Sequence, residues 1–270
     1  MIVGIDIGGT TTKIVSTDED EEIFYTMVKA SDPVASAAGA IGKYLTVAGK
    51  KMSDITRLAV TGVGSTFIKD EVLGIKAEHV EEFQAIGLGG LHLAKTTRAL
   101  VVSVGTGTAI VHAEGREARH LGGSGVGGGT ILGLGKALAG ITDFDSLSQA
   151  ASQGKVENVD LMVQDISSRA VGTLPQNATA SNFGKMSDRP SVEDFAAGIV
   201  NMVFQTVGML AIFAARAEND STIVIVGNTM QIPMAREVLD ALYPIYGVHF
   251  IVPELAQYAT ALGAALYLGV

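Results

Sequence analysis

The chain has 270 residues, 47% of them hydrophobic and 17% charged, a balance that builds a compact core and excludes a disordered protein; the length leaves room for one large or two medium domains. Nineteen Lys and Arg against 28 Asp and Glu give a net charge of -9 with no long basic run, which argues against a nucleic-acid partner. The complete lack of cysteine removes disulfides, thiolate zinc sites, iron–sulfur clusters and a Cys nucleophile.

The first predicted element is a strand over residues 1–7, where Ile2, Val3, Ile5 and Ile7 are β-branched and apolar, with its return over 12–16. Gly8-Gly9 forms the turn between them. Its outward N–H groups, flanked by hydroxyls and Lys13, make a concave seat for an anion. Asp6 lies beside that seat, and a carboxylate next to a phosphate is useful when a cation lies between them. No basic stretch or cleavage site precedes this strand, which predicts a cytoplasmic protein.

Helices follow over 33–48 and 82–95. Asp70, Glu71, Glu78, Glu81 and Glu82 crowd the approach to the second, where acids commonly complement the helix dipole. A strand over 98–103 then runs into Val104-Gly105-Thr106-Gly107-Thr108 and returns over 109–111, repeating the opening design. Two such tips facing each other would grip one polyphosphate from both sides.

Residues 121–135, LGGSGVGGGTILGLG, are the densest glycine segment, and Gly127-Gly128-Gly129 feed a helix over 129–139 whose free N–H groups would attract phosphate. Neither a P-loop nor a dinucleotide-binding turn fits the spacing. Residues 173–190 read as a long Ser/Asn/Pro-rich loop of the kind that often carries function. A helix over 191–217 starts at Ser191 and Asp194; its apolar stretch over 195–215 is interrupted by Asn201, Gln205 and Thr206, so it reads as a buried core helix and not as a membrane span. A third strand over 222–226 ends at Gly227-Asn228-Thr229, and helices over 233–242 and 257–268 complete the chain. Ala- and Gly-rich faces at 35–41 and 259–265 predict close helix–sheet packing.

Asp6-Ile7-Gly8-Gly9-Thr10 with Lys13, then Val104-Gly105-Thr106-Gly107-Thr108, then residues 122–129 together resemble the acetate kinase, sugar kinase, heat-shock chaperone and actin superfamily. The set SVGTGTA, LGGSGVGGGTILGLG, Ile141-Thr142-Asp143-Phe144 and Thr179-Ala180-Ser181-Asn182-Phe183-Gly184 is similar to the type II pantothenate kinases, along the whole chain. That resemblance implies an α/β fold of two ribonuclease-H-like (actin-like ATPase) lobes, 1–97 and 98–270, with mixed sheets and a central nucleotide cleft. It also implies a homodimer that transfers the γ-phosphate of ATP to the primary hydroxyl of pantothenate at the entry to coenzyme A, while the charge balance and the interrupted apolar helix predict no nucleic-acid or membrane partner.

By position in the family's motifs, Asp6 would hold Mg2+ through water. Ile7, Gly8, Gly9, Thr10, Thr11, Thr12 and Lys13 would surround the terminal phosphates, with Thr106 across from them. Gly128, Gly129, Thr130, Ile131 and Leu132 would hold the inner phosphates, with Phe144 and Asn228 near the adenosine. The resemblance singles out Glu82, in Val80-Glu81-Glu82-Phe83, as general base, and Thr179 and Ala180 as the substrate loop. Where the family carries Arg before Leu121-Gly122-Gly123, this chain has His120, with Arg119 one residue earlier. Either Arg119 shifts register to meet the substrate carboxylate, or substrate affinity is altered. A kinase of the same superfamily acting on another alcohol, such as an amino sugar, and a non-kinase switching ATPase are the competing expectations. Against them, many sugar kinases carry a Cys-rich zinc segment and reductase activators an iron–sulfur cluster, neither possible here.

Overall fold

The computed structural model describes residues 1–17, 23–169, 171–172, 174–185 and 190–269. In the first strand, β1 (Ile2–Ile7), strict alternation sends Val3, Ile5 and Ile7 into one apolar layer and Gly4 and Asp6 to the opposite face. Both faces are covered, which is why the strand reads as nearly all apolar. It is central in a sheet ordered β3-β2-β1-β4-β6-β5, with β2 (Thr11–Thr17), β3 (Ile23–Lys29), β4 (Arg57–Thr61), β5 (Glu71–Val72) and β6 (Ile75–His79). Pairing is antiparallel from β1 through β2 to β3 and parallel from β1 through β4 to β6.

The second sheet repeats this plan. Its order is β9-β8-β7-β12-β13, from β7 (Arg98–Val104), β8 (Thr108–Glu114), β9 (Glu117–Ser124), β12 (Ile223–Val226) and β13 (Phe250–Ile251). Again two antiparallel pairs precede two parallel ones, as expected for two ribonuclease-H-like halves. A small pair, β10 (Leu161–Met162) with β11 (Thr179–Ser181), stands apart.

Helices cover each sheet on both faces, but not in sequence order. Helix α1 (Pro33–Ala48) buries Ala37, Ala40, Ile41 and Tyr44 on the Val3–Ile5–Ile7 face of the first sheet. The other face is covered by α9 (Ala259–Leu268), from the far end of the chain, through Ala261 and Leu262 against Val15. Helix α2 (Glu82–Ala94) leaves the first sheet and covers the second, packing Ile86 and Leu91 on Ala99, Val101 and Val111. The two exchanged helices cross at Gly89 and Gly263: a Cβ on either would fall 1.8 Å from a carbonyl oxygen of the other helix, Ala259 or Ala85.

The remaining face of the second sheet belongs to α6 (Val192–Ala217), which buries Ile199, Val203, Phe204, Val207 and Ile212 against Leu100, Val102 and Val104. Each such side chain contributes about 1.5–3 kcal/mol on leaving water. The helix is long and apolar enough to span a membrane, with mean hydropathy 1.8, yet 67% of that stretch is buried inside the protein. Ser191 caps it as predicted, accepting from Asp194 N at 3.1 Å while Asp194 Oδ2 accepts from Ser191 N at 2.9 Å. Helices α3 (Gly128–Leu134), α4 (Phe144–Ala151) and α7 (Pro233–Asp240) pack on it, and the short α5 (Val163–Ile166) and α8 (Tyr243–Tyr246) complete this half.

Two expectations change. The helix predicted over 129–139 is α3 followed by a π-turn at Gly135–Ala139, where Gly135 passes so close to Leu147 Cδ1 that a Cβ would stand 2.3 Å from it. The predicted loop over 173–190 contains β11, because Asp160, fully buried, gathers this segment onto α6. Its carboxylate accepts from Phe183 N at 2.8 Å, Asn201 Nδ2 at 2.8 Å and Asn182 Nδ2 at 3.1 Å. Residues 173 and 186–189 of that loop lie outside the described residues.

Candidate active site

The ends of β1 and β7 point into one cleft between the sheets, a cavity of 460 Å3. The first finger is Gly8–Thr10, closed by Gly8 N donating to Thr11 O at 3.1 Å, so β2 begins one residue earlier than predicted. The second is Gly105–Gly107, closed by Gly105 N donating to Gly107 O at 2.9 Å. They face each other: a Cβ on Gly9 would stand 3.6 Å from Thr106 Oγ1. Behind the second finger lies the glycine-rich segment, packed so tightly that a Cβ on Gly127 would come within 2.8 Å of Gly107 backbone.

This packing alters one expectation. Gly128 N and Gly129 N donate to the carbonyls of Gly105 and Thr106, each at 2.8 Å, and Gly127 N donates to Thr130 Oγ1 at 3.2 Å. The first N–H groups of α3 are therefore spent on bracing the second finger instead of being free for phosphate. Gly128 and Leu132 still line the cavity, with Phe144 from the start of α4 and Asn228 after β12. The side chains of Ile7 and Ile131 are buried in the two cores, so these residues offer the cleft only backbone. Thr12 is buried on the α1 face beside Ile14, and its Oγ1 has no hydrogen-bond partner among the described residues. It does not reach the cleft, because Lys13, one residue on, takes the opposite face.

Lys13 and Asp6 are cross-strand neighbours, and Lys13 Nζ donates to Asp6 Oδ2 at 3.2 Å with both side chains 10% exposed. The acids before α2 separate by role. Glu81 is the N-cap, accepting from Gln84 N at 2.9 Å; Glu78 is bound to Arg57 at 2.6 Å; Glu82, on the first turn, lines the cavity with Asp6 and Lys13. Burial, followed by the negative charges of Asp6 and Glu81, pushes the Glu82 carboxyl above the usual carboxylate range, and Lys13 opposes this. Among the described residues no group of three or more His, Cys, Asp or Glu could hold a metal ion. Asp6 and Glu82 are the carboxylates that line this cavity, and one or two carboxylates together with substrate phosphates and waters are what Mg2+ commonly takes.

The expected acceptor-side residues are not all brought here. Arg119 is bound to Glu218 at 2.6 Å, and His120 stacks on Phe83 of α2. Thr179 lines a second cavity of 650 Å3 between α6, α7 and the segment before β11, while Ala180 beside it is exposed. Ser103, Ser124, Gln257 and Thr260 line the first cavity and were not predicted. Ser103 had a readable signal, since it follows Ala99 and Val101 on one face of β7 as Asp6 follows Gly4 on β1.

Residues 93–242 match the Fumble family. A type II pantothenate kinase of Staphylococcus aureus is 32% identical over 281 aligned residues, covering 100% of both chains, and one from Staphylococcus haemolyticus is 30% identical, covering 98% of each. This chain belongs to the type II pantothenate kinases. Among solved structures, the activator of 2-hydroxyisocaproyl-CoA dehydratase from Clostridium difficile, with bound ADPNP, has a TM-score of 0.72 at 20% identity, covering 98% of this chain and 93% of its own. A ROK hexokinase from Thermus thermophilus has a TM-score of 0.57 at 17% identity, covering 98% of this chain and 97% of its own. These likenesses show the fold, an actin-like ATPase architecture, while membership of the type II pantothenate kinases rests on the full-length relatives.

Proposed function

We propose that the chain is an ATP-dependent pantothenate kinase that transfers the γ-phosphate to the primary hydroxyl of pantothenate, the entry to coenzyme A synthesis. The reading is carried by the meeting of two glycine–threonine fingers, Lys13 and Glu82 around one cavity in a chain with full-length relatives named type II pantothenate kinase.

In this reading the two lobes, 1–97 and 98–270, enclose the nucleotide. Backbone N–H groups of Gly9 and Thr10 and the Thr106 tip hold the terminal phosphates, with Lys13 turning from Asp6 toward them. Phe144 and Asn228 border the adenosine. Asp6 would hold Mg2+ through water, and the ion supplies neutralisation of the charge on the transferring group. Glu82 accepts the hydroxyl proton as that oxygen bonds to the γ-phosphorus and the bond to the departing ADP oxygen breaks, and its raised pKa makes it a stronger base than an ordinary glutamate. His120 stacks on Phe83, the residue that follows Glu82. Thr179 and Ala180 stay proposed substrate contacts, and Arg119 would have to leave Glu218 to join them. The protein is read as cytoplasmic and homodimeric.

The test is an ATP-dependent assay with pantothenate on the full chain. Phosphopantothenate is the expected product; its absence with wild-type protein refutes the reading. Glu82→Ala should retain ATP binding and lose transfer, whereas ATP turnover unchanged by this substitution and by the omission of pantothenate would indicate a switching ATPase.

A further inference from the structure

His120 is exposed on the edge strand β9, yet its ring is not loose. Its centroid lies 3.8 Å from that of Phe83, with the planes 2° apart. The stack is a product of register. Ala118 and His120 pair across β8 with Ala113 and Val111, which face α2, so both point at that helix. Two residues along a strand and four along a helix both advance about 6 Å. Ala118 accordingly meets Gly87, where a Cβ would stand 2.6 Å from its own Cβ, and His120 meets Phe83 one turn earlier.

Beyond His120 the strand changes phase. Val111 pairs with His120 but Ile110 with Gly122, so Leu121 is an unpaired bulge residue. Bulges re-aim strands next to functional sites. Here the bulge separates the residue that grips α2 from Ser124, which lines the cavity. Phe83 follows Glu82 directly on the first turn of α2, which Glu81 caps and which packs Ala85 against α9 on its other side.

From this geometry we infer that His120 is a positioning residue: its ring, stacked on Phe83, clamps the first turn of α2 to β9 and so fixes where Glu82 meets the acceptor hydroxyl. The inference rests on the reading of Glu82 as base and adds a residue whose shape, not its charge, serves catalysis. Small displacements of a reacting group cost large factors in rate.

The experiment compares His120→Ala, His120→Phe and Glu82→Gln in the full chain, with kcat and KM for ATP and pantothenate and a melting curve for each. His120→Ala should lower kcat by about tenfold with both KM values changed less than twofold. His120→Phe, which keeps a flat ring and no charge, should restore kcat to within about twofold of wild type. Combining His120→Ala with Phe83→Leu should cost little more than either alone, because both remove one contact. A rise in KM for pantothenate with unchanged kcat would make His120 a substrate ligand and overturn the inference. So would a His120→Phe variant as slow as His120→Ala while melting like wild type. Wild-type kcat in Glu82→Gln overturns the base and the inference together, whereas an inactive Glu82→Gln beside a fully active His120→Ala overturns the inference alone.

Discussion

Glu82 is held where burial and two negative neighbours raise its proton affinity, and this has opposite consequences for rate and for stability. A carboxyl whose folded-state pKa exceeds its unfolded value favours the fold below the unfolded pKa, and that contribution is lost as pH rises through the folded one. Once ionised, Glu82 therefore costs stability. Glu82→Gln should melt higher than wild type at pH 7.5 and no higher at pH 3, by calorimetry, while kcat falls about 10²–10⁴-fold. The acid limb of the kcat/KM profile should lie above the ordinary glutamate range, and a profile flat down to pH 4 would contradict the role. Asp6 and Lys13 form the other critical pair. Asp6→Asn leaves a buried ammonium without its partner and should cost about 3 kcal/mol in urea unfolding, with much of it recovered in Asp6→Asn/Lys13→Met. The sequence brought five acids to the start of α2 but could not rank them, since a cap, an ion pair and a base require the same residue types. What separates Glu81, Glu78 and Glu82 is the direction of each side chain, which depends on the partner each one meets.

At the scale of elements, β1, β2, β7, β8 and α6 were legible because each carries a local signal: β-branched runs ending in glycine and threonine, or a capping box before a long apolar stretch. The π-turn after α3 and strand β11 were not, because each depends on a distant partner, Leu147 for one and Asp160 for the other. The small-residue face of α9 announced close packing. Its packing on the sheet was readable, but its crossing with α2 was not, since Gly89 lies far away in the chain. The crossing gives a direct test. Gly263→Ala pushes a methyl into the Ala85 carbonyl and should destabilise the protein by about 3 kcal/mol, whereas Gly39→Ala, where a Cβ meets nothing within 4 Å, should not destabilise it. Equal stability of Gly263→Ala and wild type would show that the two helices do not meet as described.

At the scale of the whole molecule, the same strand order occurs twice, and each copy delivers one finger to a common cleft. The repeat was visible in sequence as two strand–glycine–threonine–strand segments, because the tip chemistry is local. The exchange of α2 and α9 between the sheets was invisible, because nothing in either helix says which sheet it will cover. That exchange is what ties the two halves together around the cavity. A nucleotide gripped from both sides should stabilise the entire chain in one transition, by about 2.7 kcal/mol at a ligand concentration 100 times Kd.

A crystal structure of the full chain with a non-hydrolysable ATP analogue and pantothenate tests the central claim most directly. The expected density places the terminal phosphates between Gly8–Thr11 and Gly105–Gly107, with the pantothenate hydroxyl within hydrogen-bond distance of Glu82. Phosphates bound outside that gap, or a hydroxyl far from Glu82 in a complex that still turns over with ATP, would contradict it.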